Sequence, residues 1–163
     1  MRMNPFFEDV AAIGKKMSLH ILGMEKLSAD FNIASRLMIS VGSPVLRIES
    51  IRKAEGISCL YRVSYYPLNL VPNIQSNIHD DVPAFESLKM SLPEGLFIQT
   101  SKQTFRVVLA EKPISEYLEV PDGTPLILWK GVNFLNDGSP IEYSIAQHDS
   151  HSFVFSVEQS RNQ

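Results

Sequence analysis

Apolar and polar residues alternate along most of the chain, and the alternation is interrupted by short segments rich in Gly and Pro. A period of two is typical of a β-strand, because successive side chains point to opposite faces of a sheet. Strands are therefore predicted at 20–27, 44–53, 57–66, 97–109, 126–134, 141–146 and 153–157. Tight turns between several of these strands favour antiparallel pairing.

Helical patterns are shorter. Apolar residues spaced near 3.6 positions predict a connector helix within residues 1–18, ahead of a domain at 19–163. Asp30 is a suitable N-cap for a short helix, Pro113 opens another, and apolar spacing predicts a third at 85–92. The expected fold class is α+β, with helices flanking an antiparallel sheet.

The chain contains an internal pseudo-repeat. Residues 34–46 resemble residues 114–126, and the turn glycines Gly42 and Gly123 are 81 positions apart. Each copy consists of a helix, a Gly-Pro turn and a β-hairpin. Two copies are too few for a solenoid, so a pseudo-symmetric sheet is predicted.

Composition narrows the class of protein. With 163 residues, 44% hydrophobic and 20% charged, the chain is expected to form one globular domain. A net charge of −3 gives no basic surface of the kind that binds nucleic acid. The single cysteine, Cys59, fits a reducing compartment. Neither a signal peptide nor a membrane-spanning run is recognisable, which indicates a soluble, cytoplasmic protein.

Three polar residues stand out on strands that are otherwise suited to burial. Glu142 follows the turn at 136–140, and a buried Glu requires a partner. Alternation places Arg52 on the same face of its strand as Ser50, where it can contribute to an anion site. The same rule places Glu142 and His148 on one face of theirs.

A series of motifs in a fixed order resembles the UTRA domain, the effector-binding half of GntR/HutC-type bacterial transcriptional regulators. The resemblance covers roughly residues 6–158, and its specificity comes from the order of the motifs. They lie at 42–48, 51–56, 64–67, 103–104, 120–126, 137–144 and 155–158.

The resemblance implies a chorismate lyase-like fold, with a sheet of about six strands. It also implies a domain that senses a small metabolite, such as a sugar phosphate or another small anion, and that forms a homodimer. DNA would be bound only by an attached winged-helix domain, for which this sequence shows no pattern ahead of Asn4. Neither a cofactor nor a membrane is implied.

The resemblance further implies ligand contacts, position by position. Arg52 matches an arginine that holds the anion in sugar-phosphate-binding relatives, and Ser50 stands where they usually have another. Glu142 matches the carboxylate that touches ligand hydroxyls, and His148 replaces a tyrosine. The chain departs from the pattern at Arg62 and at several other positions, so it lacks some of the family's polar groups.

Two other functions remain open at the level of sequence. The fold relative is a lyase, and residues 148–151 contain two histidines and an aspartate that suggest a metal site or a fragment of a catalytic triad. A polar loop explains the same residues more simply. The other alternative is a dimerisation module without ligand. We favour a non-enzymatic sensor with no metal and no catalytic residues.

Overall fold

The computed structural model describes residues 16–80, 82 and 84–149. Within these residues the chain forms six strands, three α-helices and a 3₁₀ helix at Ile74–Asn77. The strands are β1 Met17–Ser28, β2 Pro44–Ala54, β3 Ile57–Pro67, β4 Ile98–Leu109, β5 Pro125–Leu135 and β6 Pro140–Asp149. The helices are α1 Phe31–Leu37, α2 Ala84–Ser91 and α3 Ile114–Leu118.

The six described strands form one sheet in the order β1-β2-β3-β6-β5-β4. Each neighbouring pair is antiparallel. The hairpin β2–β3 therefore lies beside the hairpin β6–β5, and the two meet where β3 pairs with β6. This arrangement confirms the α+β class and the antiparallel, chorismate lyase-like sheet predicted from the sequence.

The pseudo-repeat is present in the backbone. The Gly42 N–H donates to the Ala29 carbonyl, and the Gly123 N–H donates to the Ala110 carbonyl, both at 2.8 Å. The two glycines have φ of +87° and +83°, a region that residues with a Cβ seldom adopt. Two copies of the same turn thus deliver β2 and β5 into equivalent positions of the sheet.

One face of the sheet is covered by two short helices. Asp30 caps α1 as predicted, because its Oδ1 accepts a hydrogen bond from the Ile33 N–H at 2.8 Å. Helix α1 buries Ile33, Ala34 and Leu37, and α3 buries Leu118 in a neighbouring cluster. Burial of such side chains is the main stabilising contribution to a fold of this kind.

The opposite face, called here the cavity face, carries the even-numbered residues of β2, β3 and β6. One end of it is covered by the 3₁₀ helix and α2, which pack Ile74, Ile78 and Leu88 against Leu46 and Tyr66. Ser50, Arg52, Arg62 and Ser64 lie on the cavity face beside this cluster.

The predicted connector helix needs one correction. Met17 and Ser18 begin β1, where they pair with Ala54 and Lys53 of β2. Hydrogen bonds to a neighbouring strand outweigh the weak helical spacing at the end of that segment. Residues 1–15 and the strand predicted at 153–157 lie outside the described residues.

The structure predicts a steric effect at Gly131. A Cβ added there would lie 2.9 Å from Trp129 Nε1 and 3.3 Å from Gln103 Cγ. We expect Gly131→Ala to lower the free energy of unfolding by about 1–3 kcal/mol, because the indole must move. Chemical denaturation monitored by the fluorescence of Trp129 measures the change. Gly23→Ala is the control, since nothing lies within 4 Å of its added Cβ; equal stability of the two variants would contradict the prediction.

Candidate ligand-binding site

The register of the central strands assembles the site. Arg62 of β3 lies between Ser50 of β2 and Ala146 of β6, and Ser64 lies opposite Ser144. Directly opposed residues share a face, so these side chains all lie on the cavity face. The site therefore forms where the two halves of the pseudo-repeat meet.

Glu142 is the centre of a buried hydrogen-bond network. Its Oε1 accepts hydrogen bonds from Arg62 Nη2 at 2.6 Å, Tyr66 Oη at 2.8 Å and Ser64 Oγ at 2.9 Å. Its Oε2 accepts one from Asn133 Nδ2 at 2.7 Å. Glu142 is only 4% exposed, so these donors replace the water that the carboxylate loses on folding.

The network keeps Glu142 ionised. Burial alone would raise its pKa, but the Arg62 charge and the hydrogen bonds from Tyr66, Ser64 and Asn133 outweigh burial, and the pKa is lowered overall. Burial likewise disfavours the charged form of Arg62, yet Glu142 raises the pKa of that guanidinium overall. The two side chains form a largely buried ion pair, 12% and 5% exposed.

Arg62 lines the cavity and pairs with Glu142, and it is the site residue that the sequence interpretation did not propose. Its Nε donates to Ser64 Oγ at 3.0 Å, and its guanidinium carbon lies 5.8 Å from the centre of the Trp129 ring. The sequence shows Arg62 two positions before Ser64, on the same face of a strand. Its partner Glu142 is 80 positions away, on a strand whose pairing local patterns do not reveal.

A small cavity lies beside the ion pair. It encloses about 20 Å³, enough for one water molecule. Its polar wall includes Ser50, Arg52, Arg62 and Ser64, all on the cavity face. The rest of the lining is Leu19, Ile21, Ile48, Tyr66, Ile78, Val82 and Ser87.

Arg52 is one of the cavity residues, as expected from its alternation with Ser50, and is 4% exposed. Burial and the nearby Arg62 charge lower the pKa of Arg52 to about 9. The Glu142 charge raises the pKa of Arg52, but by less than burial and Arg62 lower it. The polar wall thus carries two guanidinium groups, one of which is paired with the Glu142 carboxylate behind it, and an anion in the cavity would favour the charged form of Arg52.

His148 lies apart from the cavity. It is on the cavity face of β6, as predicted, but its ring is fully buried and stacks on Trp129 with 5.9 Å between ring centres. Burial, then the charges of Arg62 and Arg52, lower the pKa of His148 to about 3, so the ring is neutral at pH 7.

The four predicted residues therefore take different positions. Ser50 and Arg52 line the cavity, and Glu142 reaches its edge through Arg62, Ser64 and Tyr66. His148 is not among the lining residues. In the part of the chain that the structure describes, no group of three His, Cys, Asp or Glu residues could hold a metal ion, and Ser150 and His151 lie outside that part.

A pH dependence follows from the depressed pKa of His148. The folded state keeps this ring neutral down to about pH 3, whereas an unfolded chain protonates it near pH 6.5. Stability from this group is therefore present above pH 6.5 and is lost as pH falls toward 3. We expect His148→Gln to flatten the dependence of unfolding free energy on pH between 4 and 6, by up to about 1.4 kcal/mol per pH unit. Denaturant titrations between pH 4 and 6 measure this dependence. His20→Gln, at an exposed site, is the control. Equal slopes of unfolding free energy against pH for the wild type and His148→Gln would contradict the prediction.

Solved structures share this fold. The crystal structure of PhnF from Mycobacterium smegmatis superposes with a TM-score of 0.90 at 19% identity, covering 99% of this chain and 71% of that one. The structure of the C-terminal domain of Yurk from Bacillus subtilis gives 0.77 at 26% identity, over 86% of this chain and 95% of that one. The likeness to PhnF shows the fold.

Curated relatives are bacterial regulators. The uncharacterized HTH-type transcriptional regulator YurK of Bacillus subtilis is 26% identical over 155 residues, 95% of this chain and 63% of that protein. The HTH-type transcriptional repressor NagR of the same organism is 22% identical, over 93% of this chain and 62% of that protein. The chain thus spans about three fifths of the length of these relatives.

Two further findings concern membrane-spanning helices and the family of the chain. Among the described residues, no helix is both long enough and apolar enough to cross a membrane. A family model described as the UTRA domain matches residues 12–154, most of the chain. This protein is a member of the UTRA domain family.

Proposed function

We propose that this chain is the effector-binding domain of a GntR/HutC-type transcriptional regulator. It senses a small anionic metabolite, a sugar phosphate or a similar compound, and controls DNA binding by an attached winged-helix domain. The observation that carries the proposal is the buried group of Arg52, Arg62 and Glu142 beside a cavity. It is a regulatory site without catalysis, and no cofactor takes part.

Charge supports an anionic effector. Glu142 compensates one guanidinium through its contact with Arg62, while the pKa of Arg52 is lowered by burial and by the nearby Arg62 charge. A phosphate or carboxylate between the two arginines would counter that repulsion. Guanidinium groups suit this role because their planar N–H donors match the oxygens of such anions.

The Glu142 carboxylate supports recognition of hydroxyl groups. Its Oε1 already accepts three hydrogen bonds, whereas its Oε2 accepts one, from Asn133. An ionised carboxylate offers about four acceptor sites over its two oxygens, so Oε2 has the greater remaining capacity to accept a hydrogen bond. Glu142 does not itself line the cavity, so we propose that Oε2 receives a hydroxyl of the effector once the cavity is enlarged.

The enzyme alternative rests on the resemblance of the fold to a lyase and on residues 148–151, of which Ser150 and His151 lie outside the described residues. A fold does not by itself determine a function. General acid–base catalysis requires a group whose pKa lies near the working pH. The pKa of Glu142 is lowered by its network, and that of His148 is about 3. Neither group is suited to exchange protons with a substrate at neutral pH.

The proposal extends to the whole regulator. Its relatives YurK and NagR are named as HTH-type regulators and are longer than this chain, which is consistent with an attached DNA-binding domain. We propose that the chain acts in the cytoplasm as a homodimer, as the family resemblance implies. A dimerisation module without ligand would account for the Arg62–Glu142 pair as a structural contact, but not for the second buried guanidinium, that of Arg52, beside the cavity.

Replacing Arg52 tests the anion site. We expect Arg52→Met to weaken binding of inorganic phosphate and hexose phosphates at least about tenfold, because one charged donor is lost. Thermal-shift titration measures binding, since a ligand stabilises the folded state as its concentration rises above Kd. Arg106→Met, at an exposed position on β4, is the matched control.

Undiminished phosphate binding by Arg52→Met would show that the anion site is wrong. Stabilisation of the wild type only by uncharged compounds would retain the sensor but exclude an anionic effector. Glu142→Ala is a poor test, because an unpaired buried charge on Arg62 would cost about 3–5 kcal/mol of stability.

A further inference from the structure

The cavity is too small for the proposed effector. It encloses about 20 Å³, whereas sites for small molecules typically occupy about 300–1,000 Å³. If the proposed function is right, on which this inference rests, the effector must enlarge the cavity. One of the two walls of the cavity must therefore move.

The polar wall is fixed by the sheet. Ser50, Arg52, Arg62 and Ser64 lie on β2 and β3, which pair along their length. The opposite wall, called here the roof, consists of Ile78, Val82 and Ser87 from the connection between β3 and β4. The roof has no strand pairing to hold it, so it is the part that can move with the fewest backbone hydrogen bonds broken.

Among the described residues, a hydrogen bond from β1 to Asp80 ties the roof to that strand. Asp80, two positions after Ile78, accepts a hydrogen bond through Oδ1 from the Ile21 N–H at 2.8 Å. The same carboxylate lies 4.0 Å from His20 Nδ1. Asp80 thus joins the connection that forms the roof to the backbone of the edge strand.

Ile21 is also part of the cavity. Its side chain lines the cavity, and its backbone pairs with Ser50 of the polar wall. The pairing of β1 with β2 is irregular between Ile21 and Gly23, so the ladder is locally disrupted next to the residue that Asp80 holds. A change in the roof therefore acts on β1 beside this irregularity.

We propose that Asp80 is a latch between the effector cavity and β1. With the cavity closed, Asp80 holds Ile21; when the effector displaces the roof, the hydrogen bond breaks and β1 is released at the bulge. β1 follows the N-terminal residues of the chain, and this domain resembles the C-terminal domain of YurK. The released strand is therefore the one nearest to any domain attached at the N-terminus.

The latch has a consequence opposite to that of a purely structural contact. If Asp80 stabilises the closed cavity, its removal raises the population of the open state, and an effector that selects this state binds more tightly. Asp80→Ala should therefore lower the Kd for inorganic phosphate and for a hexose 6-phosphate by about two- to tenfold, the worth of one hydrogen bond. Asp80→Asn keeps a side-chain oxygen that can accept from Ile21 and should bind like the wild type.

The matched control is Asp137→Ala. Asp137 is also exposed and also accepts a backbone N–H, from Ser139 at 2.8 Å, but it lies in the β5–β6 turn away from the cavity. Asp137→Ala should lower the free energy of unfolding by about as much as Asp80→Ala does, but it should leave the Kd for phosphate unchanged. The fluorescence of Trp129, the single tryptophan of the chain, measures binding because Arg62 lies over its ring. Amide hydrogen exchange at Ile21 and Ile78 measures release of the latch.

The expected result is tighter binding by Asp80→Ala alone, with faster exchange at both amides. Unchanged or weaker binding by Asp80→Ala, where the wild type binds phosphate, overturns the latch and leaves the effector site intact. If neither probe binds to the wild type or to Asp80→Ala, the anionic effector site is wrong. In that case amide hydrogen exchange tests the latch. Faster exchange of both the Ile21 and the Ile78 amides in Asp80→Ala supports the latch, and faster exchange of the Ile21 amide alone overturns it.

Discussion

The ion pair between Arg62 and Glu142 is the interaction on which the candidate site depends. It joins β3 to β6, where the two hairpins of the pseudo-repeat meet, and both partners are largely buried. Burying two charges is costly, and their attraction compensates only when further hydrogen bonds complete the geometry. Ser64 and Tyr66 supply those bonds from β3, and Asn133 supplies one from β5; both strands pair directly with β6.

The same electrostatics link the fold to the proposed binding of an anion. Glu142 pairs with Arg62 at contact distance. Arg52 remains close to a like charge, and its pKa falls to about 9. The arrangement that stabilises the junction of the two hairpins therefore also leaves a positive group facing the cavity.

Pseudo-symmetry explains the shape of the sheet but not the chemistry of the site. The two Gly-Pro turns make the same backbone hydrogen bonds, because a glycine with positive φ is required in both copies. Glu142 and Arg62 have no such counterparts: with the offset of 82 positions that relates Tyr61 to Tyr143, they correspond to Leu60 and Ser144. A repeated backbone thus carries unique polar side chains at its centre.

The sequence by itself determined the elements, the turns and the direction in which many side chains point. These properties are local: a period of two places Ser50 and Arg52 on one face, and glycines, prolines and the Asp30 cap mark where strands and helices begin and end. Tertiary structure alone decided that β3 pairs with β6. It therefore also decided that Arg62 is the partner of Glu142, that the cavity is nearly closed, and that His148 stacks on Trp129 instead of lining the cavity. The physical reason is that strand order and the volume between packed elements arise from contacts between distant residues, which local periodicity does not specify.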